Sequence, residues 1–407
     1  MTQMRADVSP TPRSALCRLL AGHPFPDATG WTPADWDAFA AAAVTPGFAW
    51  SACQTLDRTG WPAAMPASLR DDLRTMRYVS AAQALYRFSK LPPVLAPLAQ
   101  PPAIPVVLLK GAALALTVYP DPAARSMGDV DVLIPRDRVD EAVARVTALG
   151  YHAYGPEMGE GFNLHFSHHV ALVGDDHRLL PLELHWTLAS GDHDRHAPDV
   201  GWFWAQTEPI DLEERLERHG VPSPRLPLPP LFVLRPPADL LYLSAHLMLQ
   251  HGGARPSIRW LYDIHLLLER ASGRIDWDEL VPQAAGFHWA AALAAALEAT
   301  RDHFGTPLPA GVVGRLREAA DAASARLVAR RADPFQTRAT GVWNRASSLG
   351  WRARVRFIVD VAMPGRAYMQ HRYQPRPAWL WPLYYPYRWF DMLREGLMTL
   401  WKKARAR

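Results

Sequence analysis

A chain of 407 residues exceeds the size at which a single hydrophobic core keeps growing, so its length predicts two or three packed units. The formal charge of +4 is too small for the dense basic surface of a dedicated nucleic-acid-binding protein, and the two cysteines, Cys17 and Cys53, exclude a disulfide framework and a cysteine-ligated zinc site. This cysteine content and the lack of an apolar run of about 18 to 20 residues predict a cytoplasmic protein that does not span a membrane.

The first predicted region, residues 1–100, is helical. Thr32 and Pro33 have the residue types of a helix N-cap and a first helical turn, and Leu69 and Leu73 belong to a series at helical spacing. A proline-rich stretch ends the region. Nothing in it demands catalytic chemistry.

Short apolar runs alternate with helical patterns in the second region, residues 101–220. Continuous apolar and β-branched runs are typical of buried strands, and strict alternation of polar and apolar residues is typical of half-buried strands. These patterns make the region a compact mixed α+β unit. They predict strands at residues 104–109, 129–134, 165–173 and 180–186, helices at 112–119 and 139–149, and a hairpin turn at 174–176.

The third predicted region, residues 221–407, is again helical. A proline-rich stretch, residues 222–237, is interpreted as the connector that leads into it. Residues 239–250 are apolar nearly all round, which predicts a buried helix. The fold class predicted from these patterns is α+β, with a small mixed sheet flanked by helical regions on both sides in the chain.

Carboxylates on two of the predicted strands give the clearest functional signal. Residues two apart in a strand share a face, so Asp129 and Asp131 lie side by side at about 6 to 7 Å along the backbone. Glu183 stands on the polar face of the strand at 180–186. If the two strands are neighbours, three carboxylates converge, which predicts a site for Mg²⁺ or Mn²⁺. Metal binding would offset a desolvation cost of several kcal/mol for unpaired carboxylates on so apolar a strand.

The order and spacing of these residues resemble those of the uncharacterised bacterial nucleotidyltransferase family within the DNA polymerase β-like superfamily. The resemblance is strong over residues 104–190 and continues more weakly through a pattern of histidine, arginine and aspartate near residues 246–263. It is carried by Leu109-Lys110-Gly111, Tyr119-Pro120, Arg125, Gly128-Asp129-Val130-Asp131-Val132-Leu133-Ile134 and Leu182-Glu183-Leu184-His185-Trp186.

By that resemblance, the sheet is a nucleotidyltransferase core in which Asp129, Asp131 and Glu183 are the catalytic residues that hold the metal. Gly111 would begin the turn that faces the phosphates of a nucleoside triphosphate. Many members of the superfamily have a serine directly after this glycine, whereas this chain has an alanine. Lys110 and the amides of the following helix are therefore the groups expected to bind phosphate.

Two further residues are assigned to substrate binding. Arg125 lies four residues before Asp129, and we expect it either to reach a phosphate or to form a salt bridge. His185 shares a strand face with Glu183, and we expect it to orient the site, to touch substrate or to be a hydrogen-bonded structural histidine.

The histidines raise the alternative of a zinc site, because His165, His168 and His169 fall on one predicted strand. Their spacing is not that of a helical zinc motif, no cysteine joins them, and the carboxylates explain the site better. Arg259 and Asp263, four residues apart on a predicted helix, are interpreted as an intrahelical pair.

The C-terminal stretch, residues 379–401, is rich in tryptophan, tyrosine and arginine, and a basic run, residues 402–407, follows it. The favoured interpretation is a packed aromatic element with a frayed basic tail. The alternative is a helix that contacts a membrane surface or a protein partner.

The predicted function is transfer of a nucleoside monophosphate from a nucleoside triphosphate to an unknown hydroxyl or phosphate acceptor, either a small molecule or a protein. One alternative is kinase-like transfer of the terminal phosphate on the same metal site. Another is a nucleotide-binding accessory protein without turnover, and a third is a zinc hydrolase. The mild positive charge gives no strong signal for a nucleic-acid partner.

Overall fold

A seven-stranded mixed sheet lies among many helices, which confirms the predicted α+β class. The computed structural model describes residues 10–44, 47–176, 179–222, 224–252, 257–333 and 337–405. Its strands are β1 (Val106–Leu108), β2 (Val130–Leu133), β3 (Tyr151–Ala153), β4 (His169–Gly174), β5 (Leu182–His185), β6 (Thr207–Pro209) and β7 (Leu231–Leu234).

The strand order, β3-β4-β5-β2-β1-β7-β6, puts β2 and β1 near the centre of the sheet. β2 runs parallel to β5, with Asp131 directly opposite Glu183, and antiparallel to β1. β4 and β5 are antiparallel neighbours, as expected for the predicted hairpin, although residues 177–178 of its connection lie outside the described part of the chain. The two strands that carry the predicted acids are therefore adjacent.

Helices before the sheet follow the predicted pattern. Thr32 caps α2 by accepting a hydrogen bond from the amide of Asp35, whose carboxylate accepts one from the Thr32 amide in return, and Pro33 opens the helix. The N-terminal helices are α1 (Pro12–Leu20), α2 (Pro33–Ala43), α3 (Phe48–Thr59), α4 (Ala67–Phe88) and α5 (Leu91–Leu95).

Short helices connect the strands, and longer ones follow them. Those between the strands are α6 (Lys110–Thr117), α7 (Val139–Thr147), α8 (Phe162–Phe166), α9 (Val200–Ala205) and α10 (Leu212–Arg218). Those after the sheet are α11 (Pro236–Ala245), continued by a π-helical segment (His246–His251), α12 (Ile258–Arg270), α13 (Trp277–Gly286), α14 (Ala290–Phe304), α15 (Val312–Ala319), α16 (Ala322–Arg331), α17 (Arg338–Ser348), α18 (Trp351–Ala362), α19 (Arg366–Tyr373) and α20 (Tyr384–Arg405).

β1 is buried on both faces, as its apolar run predicts. Val107 belongs to a core that also contains Leu16 of α1 and Leu293 of α14, whereas Val106 and Leu108 face a second core on the other side of the sheet. Helices from before and after the sheet thus share one core. The division of the chain at residues 100 and 220 stays a prediction.

Two predictions of secondary structure were wrong. The strand expected at 165–173 begins only at His169, because Phe162 and Phe166 turn inward from α8 and pack on Phe357 at ring-centroid distances of 5.9 and 5.3 Å. The stretch 222–237 is not only a connector, since its apolar run forms β7 and pairs in parallel with β1. Tertiary packing outweighs local pattern in both places.

The favoured interpretation of the C-terminal aromatic stretch as a packed element holds for one face of it only, where Tyr385 and Trp389 donate hydrogen bonds to the Pro364 and Ala362 carbonyls. Trp379, Phe390 and Leu397 are 70%, 65% and 67% exposed, although the segment is helical as far as Arg405. Residues 406–407 of the basic run lie outside the described residues. In the described part of the chain, no helix has both the length and the apolar character needed to cross a membrane.

Asp239, in the first turn of α11, is only 5% exposed, and burial, with a smaller contribution from Asp263, raises its pKa to about 7. The folded chain holds a proton that the unfolded chain releases above about pH 4, so the free energy of unfolding falls as pH rises from about 4 to about 7. We expect Asp239→Asn to remove this loss and to raise the free energy of unfolding by about 1 to 3 kcal/mol at about pH 8.

Urea unfolding of both proteins in acidic and in alkaline buffer measures this effect. A wild-type chain that is no less stable in the alkaline buffer, or an Asp239→Asn chain that loses as much stability as wild type, would contradict the prediction.

Candidate active site

A cavity of about 480 Å³ opens beside β2 and β5, on the sheet face where Asp131 and Glu183 project. Residues of the π-helical segment and of α12, α16 and α17 form its other walls. The predicted residues Lys110, Gly111, Arg125, Asp129, Asp131 and Glu183 all line it. The sheet and the helices that follow it therefore build one cavity together.

Asp131 and Glu183 meet at the floor of this cavity. Their carboxylate oxygens and a nitrogen of His185 all lie within 4.8 Å of one another. Asp131 is 3% exposed, whereas Glu183 is partly open to the cavity. The parallel register of β2 and β5 produces this approach, because residues opposite each other on neighbouring strands point to the same face. The convergence expected from the sequence is present for these two acids.

Lys110 supplies the positive charge between them. Its Nζ lies 2.6 Å from Asp131 Oδ1 and 3.6 Å from Glu183 Oε2. Burial acts to lower the pKa of Lys110, but Tyr242, Asp131 and Glu183 outweigh it and hold the pKa above its usual value, so the side chain stays an ammonium. Its backbone has a φ of 45°, a strained conformation for a residue other than glycine and one that clusters at functional sites.

Asp129 stands at the mouth of the same cavity, just before β2 begins, and solvent reaches it. It lies outside the tight group of Asp131, Glu183 and His185. Partial burial, followed by the negative charges of Asp131 and Glu183, raises the pKa of Asp129. Lys110 opposes this rise without cancelling it.

His185 is fully buried and holds the acids in place. Its Nε2 lies 3.0 Å from Asp131 Oδ1 and 3.3 Å from Glu183 Oε2, while its Nδ1 has no hydrogen-bond partner. Burial acts to raise the pKa of Glu183, but hydrogen bonds with His185 and Asp131 and the charge of Lys110 bring it below its usual value. Among the roles considered for His185, the geometry supports orientation of the carboxylates.

Arg125 forms a salt bridge, one of its two expected roles, but its partner comes from a distant helix. Its Nε and Nη2 each donate to Asp263 of α12 at 2.8 Å, and its Nη1 donates to the Ser126 carbonyl at 2.6 Å. Tyr119 adds a hydrogen bond to Asp263 Oδ1 at 2.7 Å. Asp263 is thus bound to Arg125 and Tyr119, a pairing that the intrahelical interpretation with Arg259 did not include.

Gly111 lies within the first turn of α6, which begins at Lys110, so the turn predicted at these residues is helical. Gly111 and the lysine both line the cavity. Ala112, the residue directly after this glycine, is buried in the core behind β1. The polar groups that this turn presents to the cavity are thus Lys110 Nζ and backbone amides.

The predicted trio of histidines is divided. His165 lies in α8 and stacks on His193 at 5.7 Å, away from the cavity. Nitrogens of His168, His169 and His185 instead lie within 4.8 Å of one another. Burial lowers the pKa of His168 well below its usual value and that of His169 to about 4, so both are neutral. The alternation of apolar and polar residues on β5 is the sequence signal that could have predicted His185 as a member of this group.

Comparison with known proteins then bears on the same residues. A family model described as uncharacterised nucleotidyltransferase matches residues 32–305. The chain belongs to this family. The match includes the sheet and the carboxylates of this nucleotidyltransferase-family chain, and ends before α16 and α17. No curated protein matches the chain.

The residues of this family member fit a divalent metal ion such as Mg²⁺. Carboxylate oxygens are the ligands that Mg²⁺ prefers, and Asp131 and Glu183 present them within one small group, with Asp129 at its edge. Asp129 adds a third carboxylate that lines the same cavity. These three side chains could therefore hold the ion.

Proposed function

We propose that the chain is a metal-dependent nucleotidyltransferase of the DNA polymerase β-like superfamily. It would transfer a nucleoside monophosphate from a nucleoside triphosphate to a hydroxyl or phosphate group of an acceptor. The observation that carries the proposal is the register of β2 and β5, which sets Asp131 opposite Glu183 on the wall of a cavity large enough for a nucleotide. Membership of a nucleotidyltransferase family supports it.

In this reaction the acceptor oxygen forms a bond to the α-phosphorus, while the bond from that phosphorus to the bridging oxygen breaks and pyrophosphate leaves. Asp129, Asp131 and Glu183 would hold Mg²⁺ or Mn²⁺, which lowers the pKa of the acceptor hydroxyl and stabilises negative charge on pyrophosphate. Lys110 would neutralise a phosphate oxygen, and the first amides of α6 would donate to another. His185 would keep Asp131 in position.

The position of a radiolabel tests this proposal. Purified protein, magnesium and a cell extract as the source of acceptors are incubated with each nucleoside triphosphate, labelled at the α- or at the γ-phosphate. We expect the α-label in the product and release of pyrophosphate, with loss of both on chelation by EDTA and recovery when magnesium is restored. A γ-label in the product would establish the kinase alternative, and nucleotide binding without pyrophosphate would establish the accessory-protein alternative.

The grouping of His168, His169 and His185 is the one observation that favours the zinc alternative. Two of these rings already have partners: His185 Nε2 contacts Asp131, and His168 Nε2 lies 2.9 Å from Gln250 Nε2. A zinc hydrolase would keep its activity in Asp131→Ala and lose it when His169 is replaced. The proposed transferase would instead lose its activity in Asp131→Ala.

The cytoplasmic setting stays a prediction.

A further inference from the structure

Two arginines from helices beyond the matched region line the cavity. Arg331 is the last residue of α16, and Arg345 lies in α17. Both follow residue 305, where the family match ends. They therefore lie outside the part of the chain that the family model matches, although they line the same cavity.

Neither guanidinium is neutralised. Within the described residues, no carboxylate forms an ion pair with Arg331 or Arg345. Burial lowers the pKa of both, and the charge of Arg345 lowers that of Arg331 further. Asp194 is the nearby carboxylate that opposes this effect, but it contacts His196 Nδ1 at 2.9 Å and Ser348 Oγ at 2.5 Å. Arg331 and Arg345 are partly buried cations, and the one carboxylate near both of them is already bound to His196 and Ser348, so positive charge is left unbalanced.

Other hydrogen-bond donors in the same wall lack partners. Arg331 Nε, Asn344 Nδ2 and Ser190 Oγ are buried atoms that bond to nothing in the described chain, and all three residues line the cavity. Asn344 and Ser190 are only 3% and 7% exposed. Buried polar groups are nearly always hydrogen-bonded, so three donors without partners beside two cations indicate that this wall can bind an anionic ligand.

We propose that Arg331 and Arg345 bind a phosphate group carried by the acceptor. This proposal rests on the proposed function, because it names the class of acceptor: a phosphorylated molecule. Two guanidinium forks match the charge and the paired oxygens of a phosphate monoester. Under the proposed function, Lys110 and the start of α6 would bind the nucleotide, and both lie within the family match. The wall that contains Arg331 and Arg345 would then bind the acceptor.

Titration of the full chain with inorganic phosphate, without metal or nucleotide and at constant ionic strength, tests this subsite by calorimetry. We expect one phosphate per chain and a loss of affinity of about tenfold or more in Arg331→Gln and in Arg345→Gln. Arg345→Lys, which keeps the charge but not the fork, should lose less. The control is Arg326→Gln, an exposed arginine of α16 that does not line the cavity and should bind phosphate as wild type does.

Arg345→Gln removes one of two partly buried like charges, so its melting temperature should be at or above that of wild type, and a loss of phosphate affinity would not reflect unfolding. A second arm measures a non-hydrolysable nucleoside triphosphate with magnesium. Unchanged nucleotide affinity in Arg345→Gln assigns the phosphate to the acceptor. If Arg345→Gln lost affinity for nucleotide and for phosphate equally, the arginine would bind the triphosphate and the proposal would be overturned. Phosphate affinity that is the same in Arg345→Gln and in wild type would also overturn it. Since the first arm needs neither metal nor nucleotide, it stands even where nucleotidyl transfer fails.

A separate observation concerns α20, which carries an exposed apolar stripe. Tyr387, Phe390, Leu393, Leu397 and Trp401 follow one another at intervals of three or four residues, so they share one face of the helix, and each is at least 54% exposed. A surface of this kind is typical of a binding face.

The opposite face of α20 fastens the helix to the protein. Arg388 donates from Nε and Nη2 to the Val361 carbonyl at 3.0 and 2.7 Å, and Trp389 Nε1 donates to the Ala362 carbonyl at 2.8 Å. The apolar stripe is therefore held outward by the fold.

The distribution of charge along the sequence indicates which kind of surface the apolar stripe contacts. Residues 338–407 contain 14 Lys or Arg and 3 Asp or Glu, a surplus of 11 positive charges, whereas the whole chain has a surplus of only 4. The preceding 337 residues therefore carry 7 more negative than positive charges. We infer that α20 lies on an anionic lipid surface, with its aromatic and leucine side chains in the interface and the basic residues among the headgroups.

Co-sedimentation with vesicles tests this inference. We expect the full chain to sediment with vesicles of equal parts phosphatidylcholine and phosphatidylglycerol, less so with phosphatidylcholine alone, and less so as salt rises. The double variant Leu393→Glu with Leu397→Glu should bind vesicles about tenfold or more weakly. The control Tyr78→Glu, at an exposed position of α4 outside the stripe, should bind as wild type does. Failure of the wild-type chain to sediment with anionic vesicles would overturn the inference. A double variant whose only change is from dimer to monomer, as measured by light scattering, would overturn it as well.

Discussion

Asp131→Asn is expected to fold and to lose nucleotidyl transfer by about a thousandfold or more. Asp131 is the most buried of the three acids, and its distances to Lys110 and His185, 2.6 and 3.0 Å, are shorter than those of Glu183, 3.6 and 3.3 Å. An amide keeps the shape of the side chain but cannot supply the negative charge that a divalent ion requires. The measurement is the rate of α-label incorporation at saturating magnesium and nucleotide.

The matched control is Asp57→Asn, the same chemical change at an exposed aspartate that pairs with Arg77 outside the cavity. It should keep the wild-type rate, and both variants should melt as single folded species. An Asp131→Asn protein that retains more than about a tenth of the wild-type rate would exclude Asp131 as a metal ligand for the reaction. Loss of the rate together with loss of folding would be seen in the melting curve.

The sequence predicted the part of the fold where local pattern and tertiary environment agree. β1 is an apolar run, β2 is apolar except for Asp131, and β5 alternates apolar and polar residues; each lies within a predicted strand. The alternation around Glu183 predicted which side chains would leave the core, and the structure places Leu182 and Leu184 in the core and Glu183 in the cavity. Period-two alternation specifies a face even when strand ends are uncertain.

Contacts between distant segments could not be predicted in this way. Arg125 and Asp263 are 138 residues apart, and nothing in either local sequence specifies the other as its partner. The same holds for Arg331 and Arg345, which reach the cavity only because α16 and α17 fold back over the sheet. His165 shows the converse error, since a pattern suited to a strand became α8 once its neighbouring phenylalanines packed on α18.

Arg125→Met is expected to lower the free energy of unfolding by about 3 to 5 kcal/mol, because it leaves Asp263 as a buried carboxylate without its cation. Asp263 is 1% exposed and its two oxygens accept from Arg125. Burial acts to lower the pKa of Arg125, but Asp263 and Tyr119 hold it above its usual value, so the side chain stays a guanidinium ion. Urea unfolding at neutral pH measures the loss.

A double-mutant cycle identifies the ion pair as the cause. In Arg125→Met with Asp263→Asn no buried charge is left alone and Tyr119 still has an acceptor, so much of the stability should return. The same cycle at the exposed pair of Arg77 and Asp57 should give less than about 1 kcal/mol of coupling. If Arg125 instead served mainly to bind phosphate, Arg125→Met would melt as wild type does and lose nucleotide affinity. The two outcomes separate an arginine that joins α12 to the sheet from one that touches substrate.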